Sequence, residues 1–242
     1  MKTSKTKKEK LNLTWFGHSA FLLKAPLGRS VLIDPWLENP KAPPGAKAIT
    51  PVDLILVSHG HSDHVGNTIE IAQRTNATVI SIYEISLYLQ KQGVVNAQGM
   101  NKGGTMSVDG LKVTMVDAKH SSDLDVGGTV VPGGEPAGFV VEFENGFKIY
   151  HAGDTAVFGD MRIIADLYKP QLAILPIGGL YTMDPREAAY ACTLLKPKYV
   201  VGMHYGTFPV LAGTPTELKK YLPASLRKIV VELEPGRPVS FA

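Results

Sequence analysis

Three histidines and an aspartate fall within six residues, in the run His59-Gly60-His61-Ser62-Asp63-His64, directly after the apolar segment 53–57. That segment reads as a buried strand, which puts the run at a strand's carboxyl end, where α/β proteins build their sites. His59 and His61 are spaced i,i+2, so an extended backbone aims both imidazoles to one side, towards one ion. Asp63 and His64 are adjacent and cannot repeat that geometry. They suit a chain turning into a helix near Val65, from which both could address a neighbouring ion. Four such residues at this spacing are hard to justify as packing or as a solvated loop. The chain has one cysteine, Cys192, so any metal must be held by histidine and carboxylate. An intrachain disulfide is excluded, which fits a reducing, cytoplasmic setting.

The rest of the composition is that of an ordinary globular protein. Of 242 residues, 44% are hydrophobic and 19% charged, which excludes a wholly disordered or collagen-like chain. No apolar run approaches 18 residues, so no membrane span is expected, and no apolar segment of the secretory kind follows the start. The net charge of +3 is concentrated in residues 1–10, where five lysines stand against Glu9. This stretch reads as a disordered basic tail, and 11–242 as a single domain. Without the tail the body is close to neutral, so a nucleic-acid partner is not expected. A small-molecule substrate is, and a homo-oligomer is compatible with the sequence.

Alternating segments 11–15, 20–24 and 30–34 read as an opening antiparallel meander, followed by a Pro-rich surface loop over 40–51. From Asp53 short apolar runs alternate with helical stretches, near 65–75 and 83–92, which implies α/β units. Strands return at 106–108, 112–116, 139–143 and 148–150, with Asn145-Gly146 as a hairpin turn. Between them, 121–137 has four glycines, two prolines and little apolar content, and reads as a long loop of the kind that often serves as a lid. The last third alternates again, with helices at 159–168, 184–195 and 214–221 and strands at 172–175, 199–201 and 229–232. Asp184-Pro185 and Thr214-Pro215 are helix starts, each a capping side chain before a proline. Two β meanders, each followed by α/β units, suggest two packed sheets with helices outside.

The H-x-H-x-D-H run resembles the signature of the metallo-β-lactamase superfamily, and the likeness extends through most of the chain. The phrases Trp15-Phe16-Gly17-His18-Ser19-Ala20, Ile33-Asp34-Pro35-Trp36 and Tyr150-His151-Ala152-Gly153-Asp154-Thr155 are similar to metal-dependent hydrolases related to ascorbate-6-phosphate lactonases. The resemblance implies a four-layer αββα sandwich and three further ligands: a later histidine, an aspartate bridging two metals, and a final histidine. His120, Asp154 and His204 match these, each after an expected strand. His59, His61 and His120 would then hold one ion and Asp63, His64 and His204 a second, with Asp154 shared. Two divalent ions so placed can generate a bridging hydroxide near neutral pH. Zinc suits this ligand set best, and manganese, iron, cobalt or nickel are also accepted.

Two histidines remain. His18 sits in a turn that borders the metal site in this superfamily and is a candidate for contacting substrate or protonating a leaving group. Catalysis is thus expected to rest on Asp63, Asp154 and His18. His151 reads as structural, and Asp34, ending its strand, as a residue that orients a histidine ligand. Gly127-Gly128 and Gly178-Gly179 lack phosphate-cradle spacing and read as loop rims. The expected activity is hydrolysis of a small ester, lactone or phosphodiester, a sugar-phosphate lactone among them. The alternatives are a nuclease, which the near-neutral body disfavours, and a diiron oxidoreductase of the same fold, whose members typically have glutamate where this chain has His61.

Overall fold

The computed structural model describes residues 10–242, so the expectation of a disordered tail falls, but for Lys10, outside the described residues. Three short strands open the chain, β1 (Leu11–Trp15), β2 (Phe21–Lys24) and β3 (Ser30–Ile33), paired antiparallel as the alternation predicts. The chain then changes to parallel pairing through β4 (Leu54–Leu56), β5 (Thr78–Ile82) and β6 (Ala97–Met100). Helices α1 (Ser62–Val65), α2 (Thr68–Thr75) and α3 (Tyr83–Lys91) make the crossovers.

The second half builds another sheet from β7 (Thr105–Val108), β8 (Leu111–Asp117), β11 (Ala137–Glu142), β12 (Lys148–His151), β13 (Leu172–Pro176) and β14 (Tyr199–Met203). Its order is β14-β13-β12-β11-β8-β7. A two-stranded ribbon, β9 (Asp123–Val126) with β10 (Thr129–Pro132), precedes β11. Helices α4 (Met161–Tyr168), α5 (Pro185–Leu195) and α6 (Pro215–Tyr221) follow their strands. The final strand, β15 (Pro238–Phe241), returns to pair with β1, giving a seven-stranded sheet of order β15-β1-β2-β3-β4-β5-β6. One continuous core joins the two sheets, with Leu13, Phe21, Leu32 and Ile55 from the first and Phe139, Ile149 and Ile174 from the second fully buried. The architecture is the αββα sandwich.

Both expected helix starts are present. Asp184 and Glu187 form a reciprocal capping box ahead of α5, and Thr214 caps α6 through the Glu217 amide.

Four expectations need correction. The stretch 121–137 is no plain loop, because it contains the β9–β10 ribbon. Its apolar content is low because Leu124 alone of the four β9 residues is buried. Gly127 and Gly128 form its two-residue turn, both at positive φ, as a type I′ turn requires. The helix near 65–75 is two helices, broken at Gly66, where a Cβ would lie 2.5 Å from the Trp36 Cα. Segment 229–232 is no regular strand. A 3-10 turn at Arg227–Ile229 leads to a single bridge between Val230 and Val200. Strands β6 and β15 were not anticipated. Both are sheet edges, and β6 (Ala-Gln-Gly-Met) lacks the alternation and branched residues that mark a strand.

Candidate metal centre

The site forms where turns from both sheets meet. His18 follows β1, and His59 and His61 follow β4. His61 occupies the N-cap position of α1, and Asp63 and His64 lie in that helix's single turn. From the opposite sheet, His120 follows β8, Asp154 follows β12 and His204 follows β14. The fold thus brings together all seven residues expected as ligands.

Their donor atoms form overlapping clusters, each with atoms within 4.8 Å of one another. His59, His61 and His120 make one, His18, Asp63, His64 and His204 another, and His59, His64 and Asp154 a third. Asp154 Oδ2 lies 2.9 Å from His204 Nε2, 3.2 Å from His64 Nε2 and 3.7 Å from His120 Nε2. Asp154 therefore faces both histidine groups. Despite this crowding, His64 Nε2 makes no well-aligned hydrogen bond to the Asp154 oxygen beside it, and Asp154 Oδ1 is buried without a partner. Unsatisfied buried polar atoms of this kind are costly unless something else satisfies them. A set of imidazoles and carboxylates converging with orphaned donor atoms fits metal ions.

Asp34 does the orienting task expected of it. One carboxylate oxygen accepts the Ser58 amide (2.8 Å), and the other accepts the Ser58 hydroxyl (2.7 Å) and faces His64 Nδ1 at 2.8 Å. With the proton on Nδ1, the Nε2 lone pair of His64 points into the cluster. Ser58 Oγ also lies 3.0 Å from His59 Nδ1, and Ser121 Oγ lies 3.3 Å from His61 Nε2. Sequence patterns gave no signal for Ser121, though Ser58 directly precedes the histidine run. His18, Asp34 and His204 all adopt positive φ, a cost that concentrates where geometry serves chemistry.

The expected role of His18 meets a specific geometry. Its ring is fully buried, with Nδ1 3.0 Å from Thr207 Oγ1 and Nε2 3.0 Å from Asp63 Oδ2. Trp36 packs edge-on against it. Both nitrogens are engaged, so the ring holds Asp63 in place and does not project into open space. His151 is buried and its Nδ1 accepts the Gly153 amide at 3.2 Å, which fits the structural reading.

Charge states follow from burial and proximity. Burial opposes ionisation of Asp154, but His64 and His204 outweigh it and hold the carboxyl well below its ordinary value. Burial also resists ionisation of Asp63, and the hydrogen bond from His18 prevails to lower it. Burial lowers His59 well below an ordinary imidazole, and lowers His120 and His18 as well. His64 is the exception. Burial opposes its charge, yet Asp154 and Asp34 raise it well above the ordinary value. Ionised carboxylates and neutral imidazoles are the forms that bind metal, so His64 must release a proton when an ion is bound.

A family model described as the beta-lactamase superfamily domain matches residues 29–205. A UPF0173 metal-dependent hydrolase of Rubrobacter xylanophilus is 52% identical, covering 92% of this chain and 91% of its own. Another, of Methanosarcina mazei, is 47% identical, over 95% and 98% of the two chains. The solved structure of Igni18, a metallo hydrolase from Ignicoccus hospitalis, superposes with a TM-score of 0.87 at 38% identity, covering 96% of this chain and 99% of its own. Among the described residues, no helix is long and apolar enough to cross a membrane. Taken with the converging histidines and carboxylates, these likenesses show that the chain belongs to the UPF0173 metal-dependent hydrolases of the beta-lactamase superfamily.

Proposed function

We propose that the chain hydrolyses a small ester, lactone or phosphodiester at a two-metal centre. The observation that carries this reading is the position of Asp154, whose Oδ2 lies within 3.7 Å of histidines from both groups. His59, His61 and His120 would hold one ion, Asp63, His64 and His204 the other, with Asp154 common to both. When bound, two divalent ions would supply a more acidic water and positive charge against the oxyanion formed on attack. The ligand set suits zinc first, and manganese, iron, cobalt or nickel next.

The chain's own residues would do the rest. Asp63 Oδ2, tied to His18 and 3.9 Å from His204 Nε2, is the oxygen on the side of the cluster, and the Asp63 carboxylate would take the proton of the attacking water and return it to the leaving group. A carboxylate held this low is a weak base, so it serves only where the water has been made acidic. His18 would fix the direction in which that proton moves. The catalytic set is thus Asp63 and Asp154, with His18 acting through Asp63. On the His120 side, Lys102 and Lys119 are already paired with Asp117, and Lys102 with Glu135 as well, so they offer little free charge to a sugar-phosphate lactone. A cytoplasmic setting is part of the same proposal and rests on cysteine usage.

Elemental analysis after reconstitution, with a screen of lactones, thioesters and aryl phosphodiesters, tests the proposal. Two ions per chain are expected, and Asp154→Ala should lower occupancy and abolish hydrolysis. A single ion at saturation, or an alanine variant with full activity, would refute the two-metal reading.

A further inference from the structure

The two loops that leave β13 and β14 beside the candidate metal centre carry large apolar side chains that stay exposed among the described residues. Leu180 and Tyr181, after β13, are 71% and 62% exposed, and Phe208 and Val210, after β14, are 40% and 53% exposed. The loops are fastened together and to the centre. Gly213 N donates to Gly178 O, and Gly178 packs so tightly on the His204 carbonyl that no side chain would fit. Met183 N donates to the carbonyl of Thr155, the neighbour of Asp154. On the other loop, Thr207 contacts His18, and the Phe208 ring stacks on Trp36 at 5.9 Å, beside His18.

Leu180 is the most telling of these residues. It adopts φ +59, a conformation unfavourable for a side chain of its size, yet gains no burial in return. Exposed apolar residues scattered singly need no explanation. Four on two loops linked to each other and to the candidate centre, one of them packed on Trp36 beside His18, do, and ligand sites are lined in this way, with a few polar groups fixing orientation.

We propose that Leu180, Tyr181, Phe208 and Val210, with Trp36, form an apolar wall for an alkyl or aryl group on one side of the scissile bond. The substrate is then a hydrophobic ester or lactone. This rests on the hydrolase reading above and narrows it. The wall sets specificity and takes no part in the proton transfers.

The test measures chain-length dependence in the full-length, zinc-loaded protein. Straight-chain carboxylates from butanoate to decanoate are titrated by calorimetry and by Trp36 emission, the second tryptophan, Trp15, being buried in the core. In parallel, kcat/KM is measured for p-nitrophenyl esters from acetate to octanoate. Kd should fall about two- to fourfold per added methylene, with kcat/KM rising in step, until the wall is filled. The double variant Leu180→Ser/Phe208→Ser should flatten both series. Val95→Ser, altering a still more exposed apolar residue just before β6, should leave the slopes intact. Carboxylate binding that tightens with length while no ester is cleaved would sustain the wall and overturn the ester chemistry. Hydrolysis with a flat series in the wild type would overturn the wall and leave the hydrolase standing. A wild-type dimer that the double variant converts to monomer, with flat series in both, would assign these residues to a subunit contact instead and overturn the proposal.

Discussion

His18 and His151 are both buried histidines beside the centre, but their surroundings differ and so should the effects of removing them. The His18 ring joins Thr207, on the loop after β14, to Asp63, on α1, and so braces one donor group from two directions. His18→Ala should fold normally and weaken the ion proposed for Asp63, His64 and His204 by about 10- to 100-fold, the usual cost of losing a residue that supports a ligand. The ion proposed for His59, His61 and His120 should be retained. A two-step metal titration against a chelator separates the two affinities. Should both ions bind as in the wild type while turnover is lost, His18 acts on substrate directly, as its place in the sequence suggests. Asp34 allows a gentler test. Asp34→Asn keeps the shape but has one acceptor end, so it cannot accept the Ser58 amide on one side and the Ser58 hydroxyl and His64 Nδ1 on the other as the carboxylate does, and affinity should fall by about 10- to 100-fold with little change in fold.

Among the secondary elements, the β9–β10 ribbon has the closest bearing on the site. Ser122 Oγ accepts the Gly60 amide, Leu124 is buried, and a Cβ on Gly60 would stand 2.6 Å from the Asp123 carbonyl. The ribbon is therefore seated on the backbone between two ligands. Gly60→Ala should displace it, costing about 1–3 kcal/mol as overpacking does, and should loosen His59 and His61 together. Thermal melting with and without metal would show it; an unchanged melting temperature in both states would mean the ribbon yields freely. The ribbon also shows where sequence reading reaches its limit. The strands from β1 to β5 and from β11 to β14 were legible because buried faces impose alternation or unbroken apolar runs. The ribbon has one buried residue on β9, and β6 and β15 lie at sheet edges, so the hydrophobic signal is diluted. The break falls at Gly66-Asn67, where glycine takes φ +41, a local stop signal inside the helical pattern, and Trp36, thirty residues away, leaves no room there for a side chain. The residues that converge at the candidate centre were legible in two ways. His59, His61, Asp63 and His64 are dictated by spacing and a strand end, whereas His120, Asp154 and His204 come from three separate turns and were placed through family likeness. The burial of His18 was legible in neither way.

At the scale of the whole molecule, charge and metal act in opposite senses as pH changes. Asp154 is held below its unfolded value, so it stabilises the metal-free fold above about pH 4 and ceases to as pH falls further. His64 is held above its unfolded value, so its contribution is complete below about pH 6.5 and is lost as pH rises through the folded value. His59, His120 and His18 are held below theirs and gain stability over the same range, so the decline from pH 6 to pH 8.5 should be read as the melting temperature of the metal-free wild type relative to that of a His64→Gln variant. Zinc needs His64 neutral, so the increase in melting temperature on adding zinc should grow over the same range. Scanning calorimetry with chelator and with excess zinc at both values makes the comparison, and a zinc effect that shrinks towards pH 8.5 would remove His64 from the ligand set. The donors also come from both layers of the sandwich, with His59, His61, Asp63 and His64 on turns of one sheet and His120, Asp154 and His204 on turns of the other. Oily side chains can re-pack after a slip of an ångström between layers, but a coordination sphere tolerates far less. The centre is thus a gauge of how the two layers are aligned. Mutations deep in the core that merely loosen the stacking should show up first as weakened metal affinity, well before the protein melts any sooner.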